Sequence, residues 1–255
     1  MSKLLTFEKV SKTFNDTAAL KEVTFQLPEN KIIGLIGANG AGKTTAMRLI
    51  VRHLYPDNGR VNFKGVLIEE YYDEVFPIAY IPDVPVYYEE LTIAEHLAFI
   101  GAMYDTQSMI AHLVKRLELS DHLNKVPSVL SKGTKQKLSI ACAFLRDSEV
   151  LLADEPFSGL DPRQIKMFKD MLIESKMNGK TIILSTHLLD VIESICDEYV
   201  MLDHGKVIAQ GTFDEIVNNN QKCATLEELY LYLTAGEDDT SDEYLDERSE
   251  KARDD

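Results

Sequence analysis

The 255-residue sequence contains no tryptophan and only three cysteines, Cys142, Cys196 and Cys223. The cysteines are scattered and odd in number. They fit no metal-ligand spacing and no disulfide framework, so they are expected to be buried thiols. No apolar run approaches the ~18 residues of a membrane-spanning helix. The first ten residues, MSKLLTFEKV, lack the unbroken apolar core of a secretory leader. The chain is therefore expected to stay in the cytosol. Cations are also scarce: 27 Lys and Arg face 42 Asp and Glu, a formal net charge of −15. That balance argues against nonspecific nucleic-acid binding.

What remains is an ordinary globular composition, 45% hydrophobic and 27% charged. The length suits one large domain, or a domain with an inserted subdomain. From Gly236 onward the chain reads GEDDTSDEYLDERSEKARDD, ten acidic residues against three basic ones. This segment, 236–255, has little apolar surface to bury and is expected to be a disordered or solvent-facing tail. It is either a solvated end or an interaction tail. Residues 1–235 are expected to form the folded domain.

Period-two alternation in LLTFEKV, VTFQL and RVNFKG predicts strands in the first third. The apolar run KIIGLIG predicts a buried strand, and TTAMRLIVRHL has helical spacing. Residues 85–147 read as mostly helical. In this stretch TIAEHLAFIGAMY opens on a capping box, Thr92 with Glu95. QSMIAHLVKRLEL predicts a second helix, and Ser131 is placed to cap a third. Further on, EVLLADEP and TIILST read as buried parallel strands. Between them lies a helix with Asp161 as N-cap, Pro162 in its first turn and Gly179 past its end. YVMLDHGKVIAQG predicts a hairpin turning at His204-Gly205, and TFDEIVNN and TLEELYLYLTA two closing helices. The expected fold is α/β, with a helical insertion and an antiparallel β layer.

GANGAGKT, Gly37 to Thr44, matches G-x-x-x-x-G-K-[ST] between a predicted strand and a predicted helix. Such a loop closes backbone N–H groups around phosphate oxygens at a helix N-terminus. Lys43 would reach the β- and γ-phosphates, and the Thr44 hydroxyl would ligate Mg²⁺. The strand VLLADE ends in two carboxylates. Asp154 is expected to hold Mg²⁺ and Glu155 to polarise the attacking water. In LSKGTKQKL, Ser131, Gly133 and the N–H groups of a helix start form a second anion site. The phosphate loop already cradles one nucleotide. The second site therefore fits a pair of chains facing each other, each closing on the other's nucleotide.

In combination these motifs resemble the ATP-binding subunits of ABC transporters, built on the P-loop NTPase (RecA-like) core. LSKGTKQ resembles the signature LSGGQ, SGLDP (158–162) the D-loop, and STH the switch histidine, His187. SKTF puts Phe14 where the family has an adenine-stacking aromatic, a contact worth ~1–3 kcal/mol in other nucleotide sites. The match runs in order over residues 3–215. The resemblance implies ATP and Mg²⁺ as ligands, a head-to-tail dimer with a second ATPase subunit, and a separate transmembrane permease subunit. The chain would then sit peripherally on the cytoplasmic side of the membrane. Each nucleotide site would take Gly37, Ala38, Asn39, Gly40, Ala41, Gly42, Lys43, Thr44, Thr45, Asp154, Glu155 and His187 from one chain. The other chain would supply Ser131 and Gly133, with Asp161 near the interface. Bacterial exporter ATPases of the Ecs type, and those handling peptides or bacteriocins, are most similar. A sensing or regulatory ATPase is the alternative. Soluble ABC proteins of translation carry two such domains, and DNA-repair relatives carry coiled coils or zinc cysteines.

Two departures stand out. The signature has Lys132 where the family has Gly, and Thr134 where it has Gln. In AYIPDVPVYYEELT, Asp83 occupies the position of the family's metal-ligating Gln. A carboxylate remains a good ligand for a hard cation, but it cannot donate a hydrogen bond. Asp83 is accordingly expected as a metal ligand, a coupling residue for the membrane subunit, or both. Tyr87 and Tyr88 either receive that subunit or pack within the domain.

Overall fold

The computed structural model describes residues 3–72, 76–218 and 223–235. The acidic tail from Gly236 lies outside the described residues.

An antiparallel sheet of order β2-β1-β4-β5 is formed by β1 (Lys3–Phe14), β2 (Thr17–Pro28), β4 (Asn58–Phe63) and β5 (Val66–Leu67). The second sheet contains β3 (Ile32–Ile36), β6 (Ile78–Ile81), β7 (Val150–Asp154), β8 (Thr181–Ser185), β9 (Glu198–Asp203) and β10 (Lys206–Gly211), in the order β10-β9-β3-β8-β7-β6. All of its pairings are parallel except the β9–β10 hairpin. That hairpin turns at His204 and Gly205, both with positive φ, as a two-residue primed turn requires.

The continuous apolar runs of β3, β7 and β8 follow from burial on both faces of the sheet. Alternate side chains divide between two cores. Ile33, Leu35, Val150, Leu152 and Ile183 pack toward the antiparallel sheet and α1 (Lys43–Ile50). Ile32, Ile36, Leu151, Ala153, Ile182 and Leu184 face the opposite core, which also holds Phe168, Met171 and Leu172 of α5 (Pro162–Met177).

Between β6 and β7 the chain forms α2 (Ile93–Tyr104), α3 (Ile110–Arg116) and α4 (Lys132–Leu145). Thr92 and Glu95 make the reciprocal capping box of α2. The predicted helix over 107–119 is shorter: a 3₁₀ turn at Gln107–Met109 precedes α3. The chain closes with α6 (Leu189–Glu193), α7 (Phe213–Asn218) and α8 (Leu226–Thr234), with α8 packed on α6. The cysteines depart from the expectation of burial: all three are free and only partly buried.

Candidate functional site

Strand order creates the site. β8 lies between β3 and β7, and all three run parallel, so their C-terminal ends share one edge. Ser185 is in register with both Leu35 and Asp154. The phosphate-loop candidate follows β3, the carboxylates end β7, and His187 follows β8.

The loop from Gly37 to Gly42 is braced by neighbours distant in sequence. Gly205 at the hairpin tip donates its N–H to Ala41 O at 3.1 Å. Ala38 donates its N–H to the Tyr230 hydroxyl at 2.7 Å. Gly37 is a close-packed position, where a Cβ would stand 2.5 Å from Leu202 O. Gly40, by contrast, has nothing within 4 Å of that point, and Ala38, Asn39 and Gly40 are exposed. The loop is thus walled on its protein side and open on the other, as a phosphate cradle needs.

Lys43 is buried, and its ammonium donates to Gly37 O at 2.6 Å and Ala38 O at 3.2 Å. Burial lowers its pKa, while the Glu155 and Asp154 carboxylates oppose that shift. Asp154 is 1% exposed, yet well supplied with donors. It accepts from the Ser185 hydroxyl and, at 3.5 Å, from the Tyr80 hydroxyl. Burial first, and the Asp154 charge second, raise the Tyr80 pKa and keep it a neutral donor.

Glu155 has φ 46°, a left-handed conformation that costs a non-glycine residue of order 1–3 kcal/mol. Three hydrogen bonds hold it there. Its N–H donates to Ser185 O at 3.0 Å and to Ser185 Oγ at 3.2 Å, and its carbonyl accepts from Ser158 N–H at 3.1 Å. The Glu155 Oε2 to His187 Nδ1 distance is 3.0 Å. The strained backbone therefore directs one carboxylate toward the histidine. Asp154, its neighbour, points into the sheet edge toward Ser185 and Tyr80.

Thr44, Asp83 and Asp154 line one cleft of about 620 Å³, together with Arg48, Tyr87 and Tyr88. Among the described residues no three His, Cys, Asp or Glu side chains cluster as a metal site. A hydroxyl and one or two carboxylates instead suit Mg²⁺, which keeps waters and takes its remaining ligands from phosphates. Asp83 is exposed on the segment after β6. Tyr87 is partly buried and donates to Lys135 O, whereas Tyr88 is 56% exposed. Phe14 is 42% exposed at the β1–β2 turn, and Leu20 of β2 abuts the loop at Gly42.

The remaining candidates sit at the starts of α4 and α5. Ser131 caps α4 by accepting from Thr134 N–H. Gly133 packs on Gly159, and Asp161 caps α5 through a box with Gln164. The structure thus gathers Lys43, Asp154, Glu155 and His187, sets Gly133 against Gly159 in the segment that leads to Asp161, and leaves Ser131 as the cap of α4. Sequence reading quoted Ser185 only as the first residue of STH, with no role of its own, and missed Tyr230. A serine ending an apolar strand does not show which strand it will face, and a tyrosine far from any motif carries little local signal.

The family model described as ABC transporter matches residues 20–158. The ABC-type transporter ATP-binding protein EcsA of Bacillus subtilis is 38% identical over 240 residues, covering 91% of this chain and 96% of that protein. The Nod factor export ATP-binding protein I of Rhizobium etli is 30% identical over 227 residues, covering 87% of this chain and 72% of that protein. A solved structure described as the ATP-binding subunit of an ABC transporter superimposes with a TM-score of 0.83 at 37% identity. That likeness covers 91% of this chain and 99% of the other. These likenesses establish that the chain belongs to the ABC transporter family, as one of its ATP-binding subunits.

Proposed function

We propose that this chain binds ATP with Mg²⁺, pairs head to tail with a second ATPase subunit, and drives a separate membrane-spanning subunit in export. The observation that carries the reading is the division of the candidate residues. Lys43, Asp154, Glu155 and His187 share one sheet edge, while Ser131 and Gly133 stand at the α4 start, against residues 156–164. Two copies placed head to tail would complete two sites.

In this reading the N–H groups of residues 39, 40 and 42–45 and the Lys43 ammonium bind the phosphates, within the loop that Ala38 and Ala41 brace through their own N–H bonds, and Phe14 stacks on the base. Thr44 and Asp154, with Asp83 as a further candidate, would hold Mg²⁺, which screens charge on the phosphates. Glu155 orients a water and accepts its proton, and His187 contacts the γ-phosphate. Ser131 and Gly133 of the partner approach the same phosphate. The partner need is also consistent with the cassette itself: no helix among the described residues is long and apolar enough to cross a membrane. Export is supported by the likeness to the Nod factor export ATP-binding protein I of Rhizobium etli.

Glu155→Gln tests the reading. It should retain ATP binding, lose ~10²–10⁴-fold in hydrolysis, and accumulate as an ATP-bound dimer in light scattering. Turnover like wild type would remove Glu155 from the mechanism.

A further inference from the structure

Lys132 stands where the family signature has glycine, and the structure gives that departure a partner. Its ammonium donates to Ser158 Oγ at 2.7 Å. Its stem lies over Gly159, where an added Cβ would come within 2.9 Å of Lys132 Cγ. One residue on, Gly133 packs so tightly that a Cβ would sit 2.6 Å from Gly159 O. One turn further, the buried Gln136 amide donates to Pro156 O at 3.0 Å. The first turns of α4 therefore run along residues 156–159, the segment immediately after Glu155.

That segment is itself tied to Glu155. Ser158 gives its N–H to the Glu155 carbonyl. Ser158 thus receives Lys132 at its hydroxyl and holds Glu155 with its amide. Only one residue separates the signature from the backbone of the strained carboxylate.

We propose that Lys132 and Ser158 form a latch within one chain, and that Lys132 is a positioning residue for Glu155. Docking of the signature on the partner's nucleotide then sets the carboxylate in the chain's own site. The inference rests on the in-trans reading above. Gln136 supplies the fixed point, because a buried amide must keep its acceptor. Lys132 supplies the adjustable one: an ammonium has three donors, and Ser158 takes one of them. α4 has no acidic residue in its first turn to compete for Lys132. The Lys132–Ser158 bond is exposed, where such contacts add little to folding stability. Its removal should change turnover far more than melting.

The test uses the full chain and four variants: Lys132→Met, Ser158→Ala, the double variant, and Lys132→Arg. Each single truncation should lower kcat about tenfold, the loss of one charge-assisted hydrogen bond. KM for ATP and melting temperature should stay near wild type. The double variant should be no slower than the slower single, because both remove the same contact. Lys132→Arg, which retains a donor, should recover most of the rate. ATP-driven dimerisation, scored in a Glu155→Gln background, should persist in all four. Additive losses in the double variant, or wild-type kcat in either single, would overturn the latch. So would Lys132→Met abolishing dimerisation while Ser158→Ala behaves like wild type. That pattern would assign Lys132 to the partner's phosphate directly. If Glu155→Gln alone stays monomeric with ATP, the in-trans reading fails and the latch falls with it.

Discussion

The Tyr230 hydroxyl accepts a hydrogen bond from Ala38 N–H at 2.7 Å, joining residues 192 apart in sequence. It brings α8 onto the phosphate loop. The same helix reaches the segment behind His187, because Leu226 N–H donates to Glu193 of α6 at 3.4 Å. α8 therefore touches both the loop and the helix that follows His187. Tyr230→Phe removes only the acceptor. A bond of this kind contributes about 0.5–1.5 kcal/mol, so ATP affinity should fall roughly 2- to 10-fold. Calorimetric titration with ATP checks this, and an unchanged affinity would confine Tyr230 to packing.

Ser185 serves both carboxylate positions at once. Its hydroxyl donates to Asp154 and accepts from Glu155 N–H, and the residue is fully buried. Ser185→Ala leaves a buried carboxylate one donor short, at a cost of about 1–3 kcal/mol. Chemical denaturation should show that loss. ATPase assays should show a lower kcat, whereas Ser185→Thr should retain both properties better.

Asp83 shares its cleft with Thr44 and Asp154. As a Mg²⁺ ligand, its replacement by Ala should raise the Mg²⁺ needed for half-maximal hydrolysis by the isolated chain. Asp83→Gln, which keeps a carbonyl oxygen, should be milder. Superimposable titration curves for wild type and both variants would leave Asp83 only a coupling role.

The cysteines should differ in reactivity with pH. Burial pushes the Cys142 thiol up to about 12 and also raises Cys196, which lies close to Asp197. Cys223 is raised as well, but it stands at the start of the more exposed C-terminal segment. A raised pKa keeps the thiol protonated below that value, and the thiol is the unreactive form. Iodoacetamide at pH 8 should label Cys223 first and Cys142 slowly, with Cys142 labelling rising only as pH approaches about 12. Mass spectrometry of peptides resolves the order.

Much of this architecture is readable from local patterns. The runs containing β3, β7 and β8 are uniformly apolar because two cores cover them. The Thr92 capping box, the Asp161 N-cap and the His204-Gly205 turn declare themselves within a few residues. The short strand β6 is less legible, because its four residues adjoin Pro82 and precede a stretch that reads as helix. The loop braces are not local at all. Nothing near Tyr230 points to Ala38, and nothing near Ser185 shows that it serves two carboxylates on another strand. Lys132 is visible as a departure, but its partner emerges only when α4 packs along 156–159. The left-handed conformation of Glu155 likewise depends on Ser185, supplied by a neighbouring strand.

The central claim is that each nucleotide site is assembled from two chains. Mixing two inactive variants tests it most directly. Lys43→Ala disables the phosphate loop and leaves the signature intact. Ser131→Asp keeps the helix cap of α4 but sets a carboxylate where the signature meets the partner's phosphate, and leaves the loop, Asp154 and Glu155 intact. Each protein alone should hydrolyse ATP at background rates. Mixed, they should form heterodimers with one complete site, built from the loop of the Ser131→Asp chain and the signature of the Lys43→Ala chain. The predicted result is ATPase activity that appears on mixing and saturates with the second component. A mixture that stays at background, although both variants are folded and the Ser131→Asp chain still binds ATP, would contradict the shared site.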